Sequence, residues 1–219
     1  MEFLHLEYIL VGSNPDELDE MIAFGLAYLP SPGLVKLRIT SYEGKEDQTE
    51  IMEFFRELAN RLPEAVFGYE NDTLPDVIGS LLKTKGKTIG TVESLTSGLL
   101  AQQITSISGA SDYFMGSLLT YSNDLKHRLC DVSIDAILSE GAVSEKVAME
   151  MAENGAKKLG VDVCISTTGI AGPNGGTVDK PVGLVWVGLC ISGKTVAPKF
   201  QFGDNRERNI QMTVLSALN

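Results

Sequence analysis

VDVCISTTGIAGPNGGTVDKPVGLVWVGLCI, residues 161–191, decides the architecture of this chain. Its first seven residues, VDVCIST, are almost continuously apolar, as a strand covered on both faces requires. Its last ten, VGLVWVGLCI, have the same character and form the longest apolar run in the sequence. Between them lies TTGIAGPNGGTVDKPVG, a glycine-rich connection of unusual length. After an SGK turn comes KTVAPKFQF, which pairs with VGLVWVGLCI as a hairpin. The first strand of that hairpin is expected to be central. The second belongs nearer an edge, because Pro198 has no N–H to give to a ladder.

Toward the N-terminus, strands and helices alternate. A long helix runs from Ser144 to Leu159 and closes on Gly160, and a short one follows Asn123. FMGSLLTYS (114–122) and KTIGTV (87–92) read as strands. The latter continues through ESLTSG (93–98) into a helix carrying Leu99, Leu100, Gln103 and Ile104. A final helix spans Arg206 to Leu218. Such alternation plus one hairpin predicts a three-layer α/β/α domain on a mixed sheet.

The first 70 residues have a different grain. FLHLEYILVG alternates loosely like a strand. NPDELDEMIAFGLAYL opens with Asn14 as N-cap, Pro15 at the first helical position and acids in the first turn, which predicts a helix to Leu29. SPG at 31–33 turns the chain, and LVKLRITSY has the period of two of a half-buried strand. Ile51, Phe54, Phe55, Leu58 and Leu62 recur at helical spacing, as do Leu74, Val77, Ile78, Leu81 and Leu82. The predicted organisation is a small α+β module over residues 1–70 and the α/β domain over 71–219.

At 219 residues and 43% apolar composition the chain can fold without staples. Its formal net charge of −11 is uneven, with sixteen acidic and eight basic residues before Gly90 and thirteen against ten from there on. The one lysine cluster, KTKGK at 83–87, is short and sits at an expected helix end, so nucleic acid is disfavoured as a partner. Cys130, Cys164 and Cys190 form no CxxC pair, which suggests neither a disulfide framework nor a zinc site. The longest apolar run falls short of the roughly 20 residues a bilayer demands, and no leader pattern is evident, so the expected location is the cytoplasm with no membrane contact.

Three segments could carry chemistry. The 167–176 loop follows a buried strand, where α/β sheets bind ligands, and offers many N–H groups beside Thr167 and Thr168. It lacks the Gly-Lys-Ser/Thr ending of a P-loop, and a plain connection is the competing account. In ESLTSG, Ser94, Thr96 and Ser97 lead into a helix, either as an anion cradle or simply as caps. Arg206 and Arg208 suit bidentate contact with phosphate or carboxylate, or surface pairing with Asp204 and Glu207. With only two histidines in the chain, a serine-lysine pair is a further option, drawn from Ser111, Tyr121 and Lys126. An ordinary lysine is protonated at neutral pH, so burial or a second cation must lower its pKa. Ser111 also lies at the opposite end of its own strand from Tyr121, about 30 Å away if fully extended. Only a fold-back of the chain or a second protomer would bring them together.

Taken together, ESLTSG, GASDYF, YSNDLK, GAVSE and STTGIAGPNGG with KPVG resemble the C-terminal domain of the CinA family of competence and damage-inducible proteins. That domain is also called PncC, nicotinamide-nucleotide amidase. The likeness runs in order from about Thr88 to Leu218. Residues 1–87 resemble the connecting module of longer CinA proteins, without the molybdopterin-binding-like domain that precedes it there, so either a naturally short protein or a fragment is expected. The resemblance implies metal-free hydrolysis of the carboxamide of nicotinamide mononucleotide to nicotinic acid mononucleotide and ammonia, with no cofactor. It implies Ser111 as nucleophile, Lys126 as base and Tyr121 as the motif tyrosine. Ser94, Thr96, Thr168, Gly169, Gly172 and Arg206 would hold the substrate, in a cytoplasmic homodimer or larger assembly. Two positions depart from the family's Glu-Ser-Cys-Thr-Gly-Gly stretch: Leu95 replaces cysteine and Ser97 replaces glycine. A weakly catalytic, nucleotide-binding regulatory protein is therefore the alternative expectation.

Overall fold

The structure, a computed structural model, describes residues 5–10, 25–31, 33–40, 48–63, 65–69 and 71–219. The chain divides into two compact units, Met1–Val77 with Asn219, and Ile78–Leu218.

In the first unit, β1 (His5–Leu10), β2 (Gly25–Ser31), β3 (Leu34–Thr40) and β4 (Val66–Tyr69) form an antiparallel sheet in the order β2-β3-β1-β4. Helix α1 (Gln48–Arg61) accompanies it. Leu37 and Ile39, two residues apart on one face of β3, pack with Ile51, Phe55 and Leu58, which share one stripe of α1. The expected helix from Asn14 to Leu29 needs correction at its C-terminal end, and its residues 14–24 lie outside the described residues. Residues 25–31 are a strand because they pair antiparallel with β3, with Ser31 opposite Leu34 and Gly25 opposite Thr40. An apolar run such as GLAYL satisfies a helix or a strand equally, and pairing decides. β4 carries too short a pattern to have been anticipated.

Helix α2 (Leu74–Lys85) leads into the second unit. There follow β5 (Ile89–Glu93), α3 (Leu99–Thr105), β6 (Phe114–Leu119), α4 (Asn123–Cys130), α5 (Ile134–Glu140), α6 (Glu145–Leu159), β7 (Val163–Gly169), β8 (Leu184–Ile191), β9 (Lys194–Val196), β10 (Lys199–Gln201) and α7 (Arg206–Leu218). The six-stranded sheet runs β10-β8-β7-β5-β6, with β9 also paired to β8. β6 and β7 are parallel to β5, whereas β8 is antiparallel to β7. This is the mixed α/β architecture that the sequence pattern implies. KTVAPKFQF is two short strands rather than one, both on β8, because Pro198 interrupts the ladder and contributes only its carbonyl, to Val187 N–H at 3.1 Å. The seven-residue α5, capped by Ser133, was not anticipated.

Helix α6 anchors one face of the sheet. Its apolar side supplies Val147, Met151 and Ala152 to a core shared with Val92, Cys130, Cys164 and Cys190. Two glycines set the depth of this contact. A Cβ on Gly155 of α6 would stand 2.3 Å from Val92 Cγ2, and one on Gly188 of β8 would stand 2.3 Å from the Ala148 carbonyl. Helices α4 and α5 lean on α6, while α3 and α7 gather elsewhere on the sheet, against β5–β6 and β7–β8. β5 sits between β6 and β7, so successive crossovers leave it in opposite directions. Such a switch point opens a crevice at the carboxyl ends of the strands.

Candidate active site

At those carboxyl ends stand Glu93 and Ser94 on β5, Thr120 and Tyr121 after β6, and Thr168 and Gly169 on β7. Lys126 enters from α4. Ser122 caps this helix by accepting from Leu125 N–H at 3.1 Å, and the register places Lys126 in its first turn, facing inward. The side chain is only 2% exposed. Its ammonium donates to Ser94 Oγ at 2.9 Å and to the Thr120 carbonyl at 2.8 Å. Thr120 N–H in turn donates to the Glu93 carbonyl at 2.8 Å, so the ends of β5 and β6 hold the lysine and the serine against each other.

Burial lowers the Lys126 pKa to about 8. Charge on Cys130 would act the other way, but burial pushes that thiol up to about 12, so it is neutral when the lysine titrates. About a tenth of the lysine is then the free amine at pH 7, against less than a thousandth for an exposed one.

The serine that meets the lysine is Ser94, not Ser111. Ser111 is exposed in the 3₁₀ turn Ala110–Asp112 before β6, whereas Thr120 and Lys126 lie beyond its other end, about 20 Å along the strand. Neither a fold-back nor a second copy of the chain is needed, because β5 delivers a different serine to the lysine. Ser94 is 8% exposed. Its N–H donates to the Thr167 carbonyl at 3.1 Å, and its carbonyl accepts from Ser97 N–H at 3.2 Å. The sequence signal for this partner was the ESLTSG segment itself.

The remaining candidates separate into two groups. Tyr121, 60% exposed, accepts from Arg206 Nη2 at 3.3 Å, and Arg206 Nη1 donates to the Gly172 carbonyl at 2.9 Å, which brings these three residues together. Asn209, fully buried one turn further along α7, donates to the carbonyls of Ala171 at 3.0 Å and Gly203 at 2.9 Å, fixing the same loop. Thr96, Thr168 and Gly169 serve the frame. Thr96 donates to the Glu93 carboxylate at 2.7 Å, Thr168 donates to the Ala142 carbonyl at 2.8 Å, and Gly169 lies so close to Val185 that no side chain fits. Among the described residues, the backbone N–H groups of Leu95, Thr96, Ala171 and Gly172 donate to no protein acceptor. All four residues are buried.

The model of the CinA C-terminal domain matches residues 71–219. The chain belongs to the CinA family. A CinA-like protein of Cytophaga hutchinsonii is 44% identical over 197 residues, 89% of this chain and 47% of that protein. A CinA-like protein of Salinibacter ruber is 40% identical over 214 residues, 95% of this chain and 50% of that protein. The chain thus spans about half the length of the CinA relatives it matches. Among solved structures, the competence/damage inducible protein CihA of Agrobacterium tumefaciens aligns with a TM-score of 0.65 and 33% identity, covering 66% of this chain and 89% of that one. A CinA superfamily protein of Escherichia coli aligns with a TM-score of 0.65 and 29% identity over 68% and 88% of the two chains. Among the described residues no helix is long and apolar enough to cross a membrane, and no group of three or more His, Cys, Asp or Glu side chains could hold a metal.

Proposed function

We propose that this CinA-family protein hydrolyses the carboxamide of nicotinamide mononucleotide by a serine-lysine mechanism, with Ser94 rather than Ser111 as nucleophile. The observation that carries this reading is the 2.9 Å contact between Ser94 Oγ and a lysine whose ammonium burial has made easier to deprotonate. Loss of one proton leaves Lys126 able to donate to the Thr120 carbonyl while its lone pair accepts the Ser94 O–H. The Ser94 oxygen then attacks the amide carbon, and its proton passes to Lys126. The unpartnered N–H groups of Leu95 and Thr96 are suited to the negative charge that collects on the amide oxygen. Lys126 returns the proton to the departing nitrogen, which leaves as ammonia. Water attacks the resulting ester, Lys126 takes its proton, and Ser94 is restored with nicotinic acid mononucleotide as the second product.

The nucleotide end of the substrate is served by Arg206 and by the free N–H groups of Ala171 and Gly172. These donors suit an anionic group such as a phosphomonoester. The test is ammonia release from nicotinamide mononucleotide by purified protein, with the acid product identified by mass. Turnover in the parent and its loss in Ser94→Ala is the expected result. Tight nucleotide binding with no ammonia from the parent would replace the amidase reading with a regulatory one. We further propose that the protein works in the cytoplasm as a homo-oligomer, which light scattering of the intact protein tests.

A further inference from the structure

The residue immediately before the serine is a fully buried glutamate that no step of the chemistry uses. Both Glu93 oxygens are saturated with donors. Oε1 accepts from Thr91 Oγ1 at 3.1 Å, Ala101 N–H at 2.8 Å and Ser117 Oγ at 3.4 Å. Oε2 accepts from Thr96 Oγ1 at 2.7 Å, Gly98 N–H at 2.9 Å and Leu100 N–H at 3.1 Å. Among these partners none carries a positive charge. Burying such a group is costly unless every lone pair is met, and here six donors meet it. Such an arrangement costs too much to persist as filler, and its geometry has a consequence for the neighbouring residue.

Glu93 lies on both sides of the serine at once. Its backbone ends β5, where its carbonyl takes the Thr120 N–H, while its side chain reaches forward to the first residues of α3. The four residues between, Ser94 to Ser97, are thereby a turn whose two ends are fixed by one amino acid. That turn holds the Ser94 hydroxyl and the free N–H groups of Leu95 and Thr96. We infer that Glu93 is a positioning residue that holds Ser94 and the two following amides in attacking geometry through its contacts with Thr96, Gly98, Leu100 and Ala101. This rests on the reading of Ser94 as nucleophile.

An acceptor-only side chain with two equivalent oxygens is the one group that fits. Each oxygen takes at least one backbone N–H, so the amide of Glu93→Gln must turn an NH₂ toward an N–H donor whichever way it flips. The expected outcome follows from how sharply rate depends on placement. In Glu93→Gln, the rate at which a fluorophosphonate probe modifies Ser94, read by peptide mass mapping on the full chain, falls about 30-fold or more. The affinity for nicotinamide mononucleotide stays within about threefold, because Arg206 and the 171–172 amides are untouched. The pH midpoint of labelling stays near the parent's, since Lys126 remains buried. A merely loosened fold would wet the lysine and move that midpoint upward.

Should Glu93→Gln fail to fold, Thr96→Val and Thr96→Ser decide. The first removes one donor to Oε2 and is expected to slow labelling by about three- to tenfold, and the second restores it to within about twofold. Parent-like labelling in folded Glu93→Gln overturns the inference alone, as do equal rates in the two Thr96 variants when Glu93→Gln does not fold. A parent protein that the probe never labels at Ser94 removes the nucleophile, and the inference falls with it. Labelling at Ser94 without turnover of the mononucleotide removes only the assigned substrate.

Discussion

Strand β6 has a serine and a lysine near each of its ends, and only one end has the makings of a reactive site. At the N-terminal end, Ser111 is exposed, and the nearby Lys83 pairs with Asp112 at 3.1 Å and lies over the Tyr113 ring at 5.7 Å, with water around it. At the C-terminal end, Lys126 is sealed from water, has no carboxylate partner, and meets Ser94 and a backbone carbonyl. The residue types are alike and the environments opposite. What separates them is the cost of keeping an ammonium charged, which water and Asp112 remove at one end and which two neutral acceptors only partly offset at the other. A serine-lysine pair is therefore identified by where the lysine is buried and not by how near the two residues stand in the sequence.

The sharpest way to break this comparison is to exchange the two serines' fates. Ser94→Ala should lower amide turnover by about a thousandfold or more, and Ser111→Ala should leave it within about threefold of the parent. Steady-state ammonia release checks both. A large loss in Ser111→Ala with a small one in Ser94→Ala would reverse the assignment.

Removing the amine tests its burial directly. Lys126→Met should abolish turnover and yet raise stability at pH 7, by about 1 to 3 kcal/mol, because a cation that burial disfavours is gone while Ser94 Oγ and the Thr120 carbonyl lose a donor. The sign with pH is fixed. The folded-state pKa of about 8 lies below the 10.5 of an ordinary lysine, so the parent gains stability as pH rises through that interval, while the unfolded chain still holds the proton. The advantage of Lys126→Met should thus narrow from pH 8 upward, as read by urea melts at a series of pH values. The same pKa predicts that kcat/KM rises about tenfold per pH unit below 8 and levels above it.

Much of this was legible in the sequence. Period-two and near-continuous apolar runs located β3, β5, β6, β7 and β8, Ser144 and Gly160 marked the ends of α6, and Pro198 announced an edge. The GIAGP loop and Arg206 were each expected to hold the substrate, and the structure joins them through the Gly172 carbonyl. What one dimension could not supply was the partner of Lys126. Ser94 reaches it only because β5 and β6 pair in parallel with Glu93 opposite Leu119, a register set by long-range packing. For the same reason GLAYL could not be separated from a helix until β3 lay beside it. Glu93 drew no notice because an acid at a strand end looks like a solvated side chain until the turn wraps around it.

A smaller effect is expected at the anion side. Arg206→Met removes the guanidinium from Gly172 and Tyr121 without touching Lys126, and should raise KM for a mononucleotide about tenfold while kcat changes little. Tyr121→Phe deletes only an exposed, 3.3 Å contact and should raise it by no more than about threefold. Comparing the mononucleotide with its dephosphorylated nucleoside sharpens the point, since the Arg206 effect should vanish when the phosphate is absent.

The smallest expected effect falls on the departure at Ser97. This residue adopts φ of +52°, in the left-handed region that an L side chain enters at a cost of about 1 kcal/mol or more. Its hydroxyl recovers little, donating to the Ser94 carbonyl at 3.4 Å. Ser97→Gly removes the strain and adds disorder to the unfolded chain, worth about 0.5 to 1 kcal/mol in the other direction. The net expectation is a gain near 0.5 kcal/mol, a melting temperature higher by about 1 to 3 °C, and turnover within about twofold of the parent. Activity holds because the backbone already has the conformation that glycine would choose, so the Ser94 hydroxyl does not move. A tenfold rise in turnover on Ser97→Gly would mean instead that the serine side chain narrows the crevice, and would place Ser97 with Arg206 among the residues that meet the substrate.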